Sequence, residues 1–117
     1  MGSHWLVDCH GCPRDRLDNA QILENILITA AERGNLSVLQ SQRHQFRPQG
    51  ATVLLLLRES HLSLHTWPEQ QYAALDLFTC GERANPAAAC QTVLDFLIPH
   101  HHNLQRIERP MIRPLSS

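Results

Sequence analysis

Apolar residues recur with two different periods along this chain of 117 residues. Helical spacing predicts one helix from Asp15 to Arg33, which Gly34 ends. A second helix is predicted to begin at Asn85-Pro86, an N-cap followed by proline, and to close at Pro99. Shorter apolar or alternating runs predict six strands, at residues 4–9, 36–39 with an extension to 46 left open, 52–57, 61–66, 72–78 and 104–108.

This order of strands and helices indicates the α+β class. We expect a two-layer α/β sandwich, in which a mostly antiparallel sheet carries two helices on one face. Residues 1–117 are interpreted as a single domain, because the chain is short for two hydrophobic cores. The order of strands in the sheet cannot be read from the sequence. The continuous apolar run from Thr52 to Leu57 predicts a strand that is buried on both faces.

The composition of the chain indicates which classes of binding partner to expect. The net charge is -1 and the sequence pI about 6.7, so no basic field indicates binding to nucleic acid. The longest apolar run is too short to span a bilayer, and the N-terminus lacks the hydrophobic segment of a signal peptide. We therefore expect no membrane association and a cytoplasmic location.

The four cysteines allow three interpretations. Cys9 and Cys12 have the spacing of a redox pair or of half a zinc site, but Cys80 and Cys90 lie ten residues apart and do not complete one. We interpret Cys9, Cys12 and Cys90 as reduced, partly buried thiols, and predict no metal. The run His100 to His102 cannot direct three side chains at one ion, and is interpreted as a solvated connector without function.

The residues with reactive side chains are concentrated after the apolar run of residues 52–57. Three segments resemble the signature of the small prokaryotic S-adenosylmethionine decarboxylase proenzymes: Glu59-Ser60-His61, His65-Thr66-Trp67-Pro68-Glu69 and Phe78-Thr79-Cys80-Gly81. The resemblance implies a proenzyme that cuts itself before the serine, which becomes a pyruvoyl group. The products would be a β chain of residues 1–59 and an α chain of residues 60–117.

A decarboxylase of α-amino acids needs an acceptor for the electrons that remain when carbon dioxide leaves. A pyruvoyl group supplies one from inside the chain, through a Schiff base between its keto carbon and the substrate amine. To make it, the Ser60 hydroxyl must attack the carbonyl of Glu59, and a base must then remove the proton on the Ser60 α-carbon. A strained, exposed backbone at this step would help.

The resemblance also assigns roles. Ser60 corresponds to the pyruvoyl precursor and His65 to the base for self-processing. Cys80 corresponds to the acid that protonates the decarboxylated carbon, and a thiol suits this role because its reference pKa of about 8.5 leaves it mostly protonated at neutral pH. Thr52 stands where the family usually has serine, and retains the hydroxyl that assists processing.

The residues predicted to contact the substrate are less clearly indicated by the motif than the reactive residues are. Phe46 and Trp67 are candidates for stacking on adenine, and Glu69 for holding ribose hydroxyls or a cation. Asp8 replaces the glutamate that is usual in the family, and Gln71 replaces a glycine. We predict S-adenosylmethionine as the small-molecule substrate.

Two other hypotheses remain at this point. One keeps the fold and cofactor but decarboxylates L-ornithine or L-arginine. The distal cation of such a substrate needs an acidic end of the pocket, which could be formed by Asp8, Glu69 and the amides of Gln70 and Gln71. The other is a regulatory homologue that no longer processes itself, which the intact Glu59, Ser60, His65 and Cys80 disfavour.

An assembly is also expected. A sheet that is covered on one face by two helices leaves its other face in need of a partner. The resemblance implies a homodimer of αβ units with active sites near the interface.

Overall fold

The computed structural model describes residues 2–110, which form six strands and two α-helices. Short 3-10 turns lie at Arg14–Arg16 and Pro68–Gln70. No helix in this part of the chain is long and apolar enough to cross a membrane. The elements in chain order are β1 (Gly2–His10), α1 (Ala20–Arg33), β2 (Val38–Gln45), β3 (Ala51–Leu57), β4 (His61–Trp67), β5 (Tyr72–Cys80), α2 (Pro86–Leu97) and β6 (His101–Arg109).

The strands form one sheet in the order β2-β3-β4-β5-β1-β6, and every neighbouring pair is antiparallel. Both helices pack on the same apolar face. The predicted α+β sandwich is therefore confirmed. The first strand of the chain enters the sheet between β5 and β6, which places Gly2 opposite Cys80.

The core lies between the sheet and the helices. In β3, alternate residues point towards the helices and are buried, whereas Leu54 and Leu56 point away and are 46% and 48% exposed. The prediction that residues 52–57 are buried on both faces is wrong, because the helices cover only one face of the sheet. The face opposite the helices, here called the open face, carries Thr52, Leu54 and Leu56 of β3 and His61, Ser63, His65 and Trp67 of β4.

The predicted helix start at Asp15 is wrong. Helix α1 begins at Ala20, where the side chain of Asn19 accepts a hydrogen bond from the backbone N–H of Ile22 at 3.1 Å. The preceding Asp15 lies in the 3-10 turn that follows Pro13. The prediction for α2 is confirmed, since Asn85 caps it through Ala88 N–H and Pro86 is its first residue.

The interpretation of the histidine run as a connector is wrong for two of its residues. His101 and His102 belong to β6, where they pair with His10 and Cys9 of β1. Backbone pairing extends along the whole of β1, so β6 is longer than its apolar residues indicate. For the same reason β5 continues past Phe78 to Cys80. The extension of β2 beyond Leu39 is confirmed as far as Gln45.

Cys9, Cys12 and Cys90 are buried free thiols in the core, as the sequence indicated, although their burial is nearly complete. Burial raises the pKa of Cys90 to about 11. All three side chains belong to the hydrophobic core, where they pack as small apolar residues.

Candidate active site

The predicted site residues form two clusters, one towards each end of β4. The first, called the cleavage cluster, consists of Glu59, Ser60 and Cys80. The second, called the histidine cluster, consists of Phe46, Thr52, His65, Trp67 and Glu69.

The cleavage cluster is built on the turn between β3 and β4. Leu57 N–H donates to Ser60 C=O at 2.9 Å, and the return bond from Ser60 N–H to Leu57 C=O is longer, at 3.4 Å. These two bonds close a tight turn in which Glu59 is exposed and Ser60 is half-buried. The peptide bond between Glu59 and Ser60 thus lies outside the regular ladder of the sheet, where its backbone can rearrange.

Cys80 reaches this turn from the last position of β5. Its thiol lies 3.2 Å from Glu59 Oε2 and 3.6 Å from the backbone oxygen of Glu59. The hydrogen bond to Glu59 raises the pKa of the Cys80 thiol, and burial and the negative charge of Glu59 act in the same direction. The sequence did not predict this contact, because the two residues are separated by a complete hairpin.

A cavity of about 260 Å³ opens beside the turn. It is lined by residues 35–37, 57–60 and 79–84, so it exposes Ser60 and Cys80 to the same small volume. Gly81 has a φ of 110°, a conformation that favours glycine, and lets the chain turn away directly after Cys80. One small molecule in this cavity can contact both the serine and the thiol.

The histidine cluster lies on regular strands of the open face. Thr52 and His65 are opposite each other in the β3–β4 pair, and Thr52 Oγ1 is 2.9 Å from His65 Nδ1. This hydrogen bond fixes the orientation of the imidazole ring. The ring of Trp67 follows on the same face, with its centroid 6.2 Å from that of His65.

A second cavity, of about 570 Å³, brings the members of the histidine cluster together. Phe46 enters it from the β2–β3 hairpin, and Glu69 from the 3-10 turn after β4. Phe46 and Trp67 are 47% and 39% exposed, so their rings remain accessible to a ligand. Three of the predicted substrate contacts therefore share one cavity with His65.

Asp8 and Gln71 have other partners. Tyr72 donates its hydroxyl to Asp8 Oδ1 at 2.6 Å, a hydrogen bond that raises the pKa of Tyr72 to about 12. Gln71 is left-handed, with a φ of 52°, and its side-chain amide donates to Cys12 C=O at 3.2 Å. Glycine suits such a conformation, and here a side-chain hydrogen bond holds glutamine in it. Neither residue lines the larger cavity.

The structure does not bring His65 to Ser60 within one chain. Ser60 adjoins His61 at the start of β4, and His65 lies four residues farther along the strand. At the rise of a β-strand, the four steps from His61 to His65 cover roughly 13 Å, a distance that a histidine side chain cannot cross. The closeness of Ser60 and His65 in the sequence gave no indication of this distance.

Sequence reasoning missed a group of residues that holds the hairpin carrying Phe46. Asp18 Oδ1 accepts hydrogen bonds from Gly50 N–H at 2.8 Å and from Gln45 Nε2 at 3.0 Å. Gln45 Oε1 in turn accepts from Ala20 N–H at 2.8 Å. These bonds tie the start of α1 to the β2–β3 turn. Only the polar pair before the helix could have drawn attention to Asp18.

Comparison with known proteins decides the family. The model of the family described as S-adenosylmethionine decarboxylase matches residues 3–110. The chain belongs to this family. It is 42% identical over 109 residues to the S-adenosylmethionine decarboxylase proenzyme of Synechococcus sp. (strain WH7803), an alignment that covers 93% of this chain and 85% of the relative.

Further comparisons agree. The proenzyme of Brevibacillus brevis is 45% identical over 93% of this chain and 82% of its own length. The crystal structure of the adenosylmethionine decarboxylase from Aquifex aeolicus superposes with a TM-score of 0.90 at 33% identity, covering 100% of this chain and 97% of that one. Membership confirms the expectation of an autoprocessing, pyruvoyl-dependent carboxy-lyase whose pyruvoyl group comes from a serine of its own chain.

Proposed function

We propose that this protein decarboxylates S-adenosylmethionine with a pyruvoyl group made from Ser60, and that it matures by cleavage between Glu59 and Ser60. The product would supply aminopropyl groups for spermidine. The observation that carries the assignment of Ser60 is its place in an accessible turn, with the Cys80 thiol 3.6 Å from the Glu59 carbonyl oxygen. The residues present at this turn fit a pyruvoyl group.

Maturation uses groups of the chain itself. The Ser60 hydroxyl attacks the carbonyl carbon of Glu59, the peptide C–N bond breaks, and an ester links the two residues. Loss of the proton on the Ser60 α-carbon then breaks its Cβ–Oγ bond, and Glu59 leaves as a carboxylate that keeps the serine oxygen. One water replaces the former serine nitrogen, which leaves as ammonia.

The mature group supplies an electron-accepting carbonyl for the electrons that remain when the substrate carboxylate leaves as carbon dioxide. Cys80 holds a proton beside the same position and delivers it to the decarboxylated carbon. Because the hydrogen bond to Glu59 raises its pKa, the thiol keeps this proton at neutral pH.

The histidine cluster suits the rest of the substrate. Phe46 and Trp67 offer accessible aromatic faces for a flat adenine, and Glu69 offers a carboxylate for ribose hydroxyls. The curated relatives named above are S-adenosylmethionine decarboxylase proenzymes, which supports this substrate over L-ornithine and L-arginine. Asp8 lies outside the cavity, so the acidic end suggested for a basic amino acid is not assembled there.

The separation of the two clusters supports a homodimer of αβ units. A two-fold dimer buries the same surface of both copies, so each cleavage cluster can meet the histidine cluster of the other copy. The exposed Leu54 and Leu56 lie on the open face between the two clusters and supply an apolar contact for such packing. This arrangement gives two equal sites and provides each Ser60 with a base.

The first test is Ser60→Ala, which should leave the chain uncut and inactive. Ser37→Ala is a matched control, because Ser37 lines the same cavity. The control should be cut normally and release carbon dioxide from S-adenosylmethionine. Denaturing gels and intact-mass spectrometry follow cleavage. A wild-type chain that stays whole at full activity would refute the role of Ser60.

The second test asks whether the site is shared. Ser60→Ala and His65→Ala chains, each poorly cut alone, are produced together with different tags. In a mixed dimer the His65→Ala chain keeps Ser60 and meets the intact His65 of its partner, so its cleavage should recover. Replacing the partner by a chain with both substitutions should abolish the recovery. Absence of recovery in a mixed dimer confirmed by both tags would exclude a shared site.

A further inference from the structure

Glu59 has a contact that its place at the cleavage site does not require. Its side-chain oxygen Oε2 lies 3.2 Å from the Cys80 thiol, closer than its backbone oxygen at 3.6 Å. Two oxygens of one residue thus face the sulfur. Both belong to the chain segment that cleavage would set free.

We propose that Glu59 remains beside Cys80 after cleavage, and that its side chain and its newly formed terminal carboxylate together hold the Cys80 thiol in its proton-donating form. This inference rests on the proposed cleavage site. It gives Glu59 a second role, in which it acts on the reaction through Cys80.

The chemistry of maturation produces the second charge. Before cleavage the backbone oxygen of Glu59 belongs to a neutral amide. When the ester link to Ser60 breaks, Glu59 retains that oxygen and gains the former serine oxygen, so the pair carries one full negative charge. An oxygen already within reach of Cys80 therefore changes from a neutral acceptor to part of a carboxylate. A neighbouring negative charge disfavours the thiolate.

The other charged groups around Cys80 do not replace this effect. Arg58, Glu82 and Arg83 line the same cavity, but it is Glu59 whose side chain bonds the Cys80 thiol. The hydrogen bond and the charge of Glu59 both raise the pKa of Cys80. Removal of the Glu59 side-chain charge should therefore release the thiol proton at lower pH.

The experiment measures the Cys80 thiol directly. Alkylation by iodoacetamide is followed against pH, and mass spectrometry quantifies the peptide that contains Cys80. Cys9, Cys12 and Cys90 are buried, so they should be alkylated only when the protein unfolds. Their lack of alkylation serves as an internal check that the protein is folded. Four forms are compared: mature wild type, mature Glu59→Gln, uncut Ser60→Ala, and uncut Ser60→Ala with Glu59→Gln.

The midpoint of alkylation should be highest in the mature wild type and lowest in the uncut double variant. We expect each carboxylate to move it by about one pH unit, a tenfold change in thiolate at fixed pH. Glu82→Gln removes a carboxylate that lines the same cavity, whereas the hydrogen bonds of the thiol go to Glu59, so it should move the midpoint much less than Glu59→Gln. The alkaline limit of decarboxylation should move with the midpoint in the cut forms.

Two results would overturn the proposal. Equal midpoints in the two uncut forms would remove the contribution of the side chain. Equal midpoints in mature wild type and uncut Ser60→Ala would show that the new terminal carboxylate of Glu59 does not contribute. The uncut pair needs neither cleavage nor turnover, so this measurement remains decisive even if Ser60 proves not to be the pyruvoyl precursor.

Discussion

The two clusters along β4 differ in how the chain holds them. The cleavage cluster lies on a turn and at the last residue of a strand, where one closing hydrogen bond is as long as 3.4 Å. The histidine cluster lies on paired strands, where Thr52 holds the imidazole of His65 at 2.9 Å. The difference suits the proposed roles, because a peptide bond that is to be cut needs a backbone that can rearrange, whereas a base needs a side chain held in a fixed orientation.

The two clusters also differ in the hydrogen bonds that neighbouring segments make to them. Behind the histidine cluster, Asp18 binds the backbone of the hairpin that carries Phe46. At the cleavage cluster the contacts of Cys80 are instead made with Glu59 itself, on one side of the bond to be cut. Within one chain, cleavage at the proposed bond would therefore alter the contacts of Cys80 and leave the Thr52–His65 hydrogen bond in place.

The largest expected effect separates the clusters by the stage at which they act. Cys80→Ala should still be cut, at least in part, but should lose decarboxylation by roughly 100- to 10,000-fold, because the carbon lacks its proton donor. His65→Ala should instead slow cleavage, since the base for the Ser60 α-proton is missing. Gel analysis of cleavage over time and carbon dioxide release distinguish the two stages. Normal turnover by the Cys80 variant would contradict its role as acid.

A smaller effect is expected from the partner of His65. Thr52→Val removes the hydroxyl but keeps the shape, and should slow cleavage by about tenfold, equivalent to about 1.4 kcal/mol and to the loss of one hydrogen bond. Thr52→Ser retains the hydroxyl and should cleave at the wild-type rate. Cleavage kinetics measure both. Equal slowing in the two variants would show that the methyl group, not the hydroxyl, matters.

The smallest effect concerns the hairpin of Phe46. Asp18→Ala leaves the buried N–H of Gly50 without its acceptor and should destabilise the protein by about 1 kcal/mol. Asn85→Ala, which removes the cap of α2, should cost a similar amount. Thermal unfolding compares their stability. Only Asp18→Ala should also raise KM, because only Asp18 supports the cavity that contains Phe46; a normal KM would limit Asp18 to stability.

Some bounds of helices and strands were predicted correctly because they depend on residues that lie close together in the sequence. The Asn85-Pro86 start of α2 was confirmed because a cap and a proline act within one turn of helix. The start of α1 was misplaced because apolar spacing does not mark the first turn of a helix, which is set here by the hydrogen bond from Ile22 N–H to the side chain of Asn19. The extent of β6 was missed because backbone pairing with β1, which the sequence does not display, draws His101 and His102 into the strand.

The sequence by itself determined the fold class and the reactive groups, since hydrophobic period and motif chemistry are properties of short segments. Only the tertiary structure decided which groups meet. Cys80 is twenty positions after Ser60, yet the β4–β5 hairpin returns the chain and places the thiol against Glu59. His65 is only five positions after Ser60, yet an extended strand carries the two apart, because each residue of a strand advances about 3.3 Å in one direction.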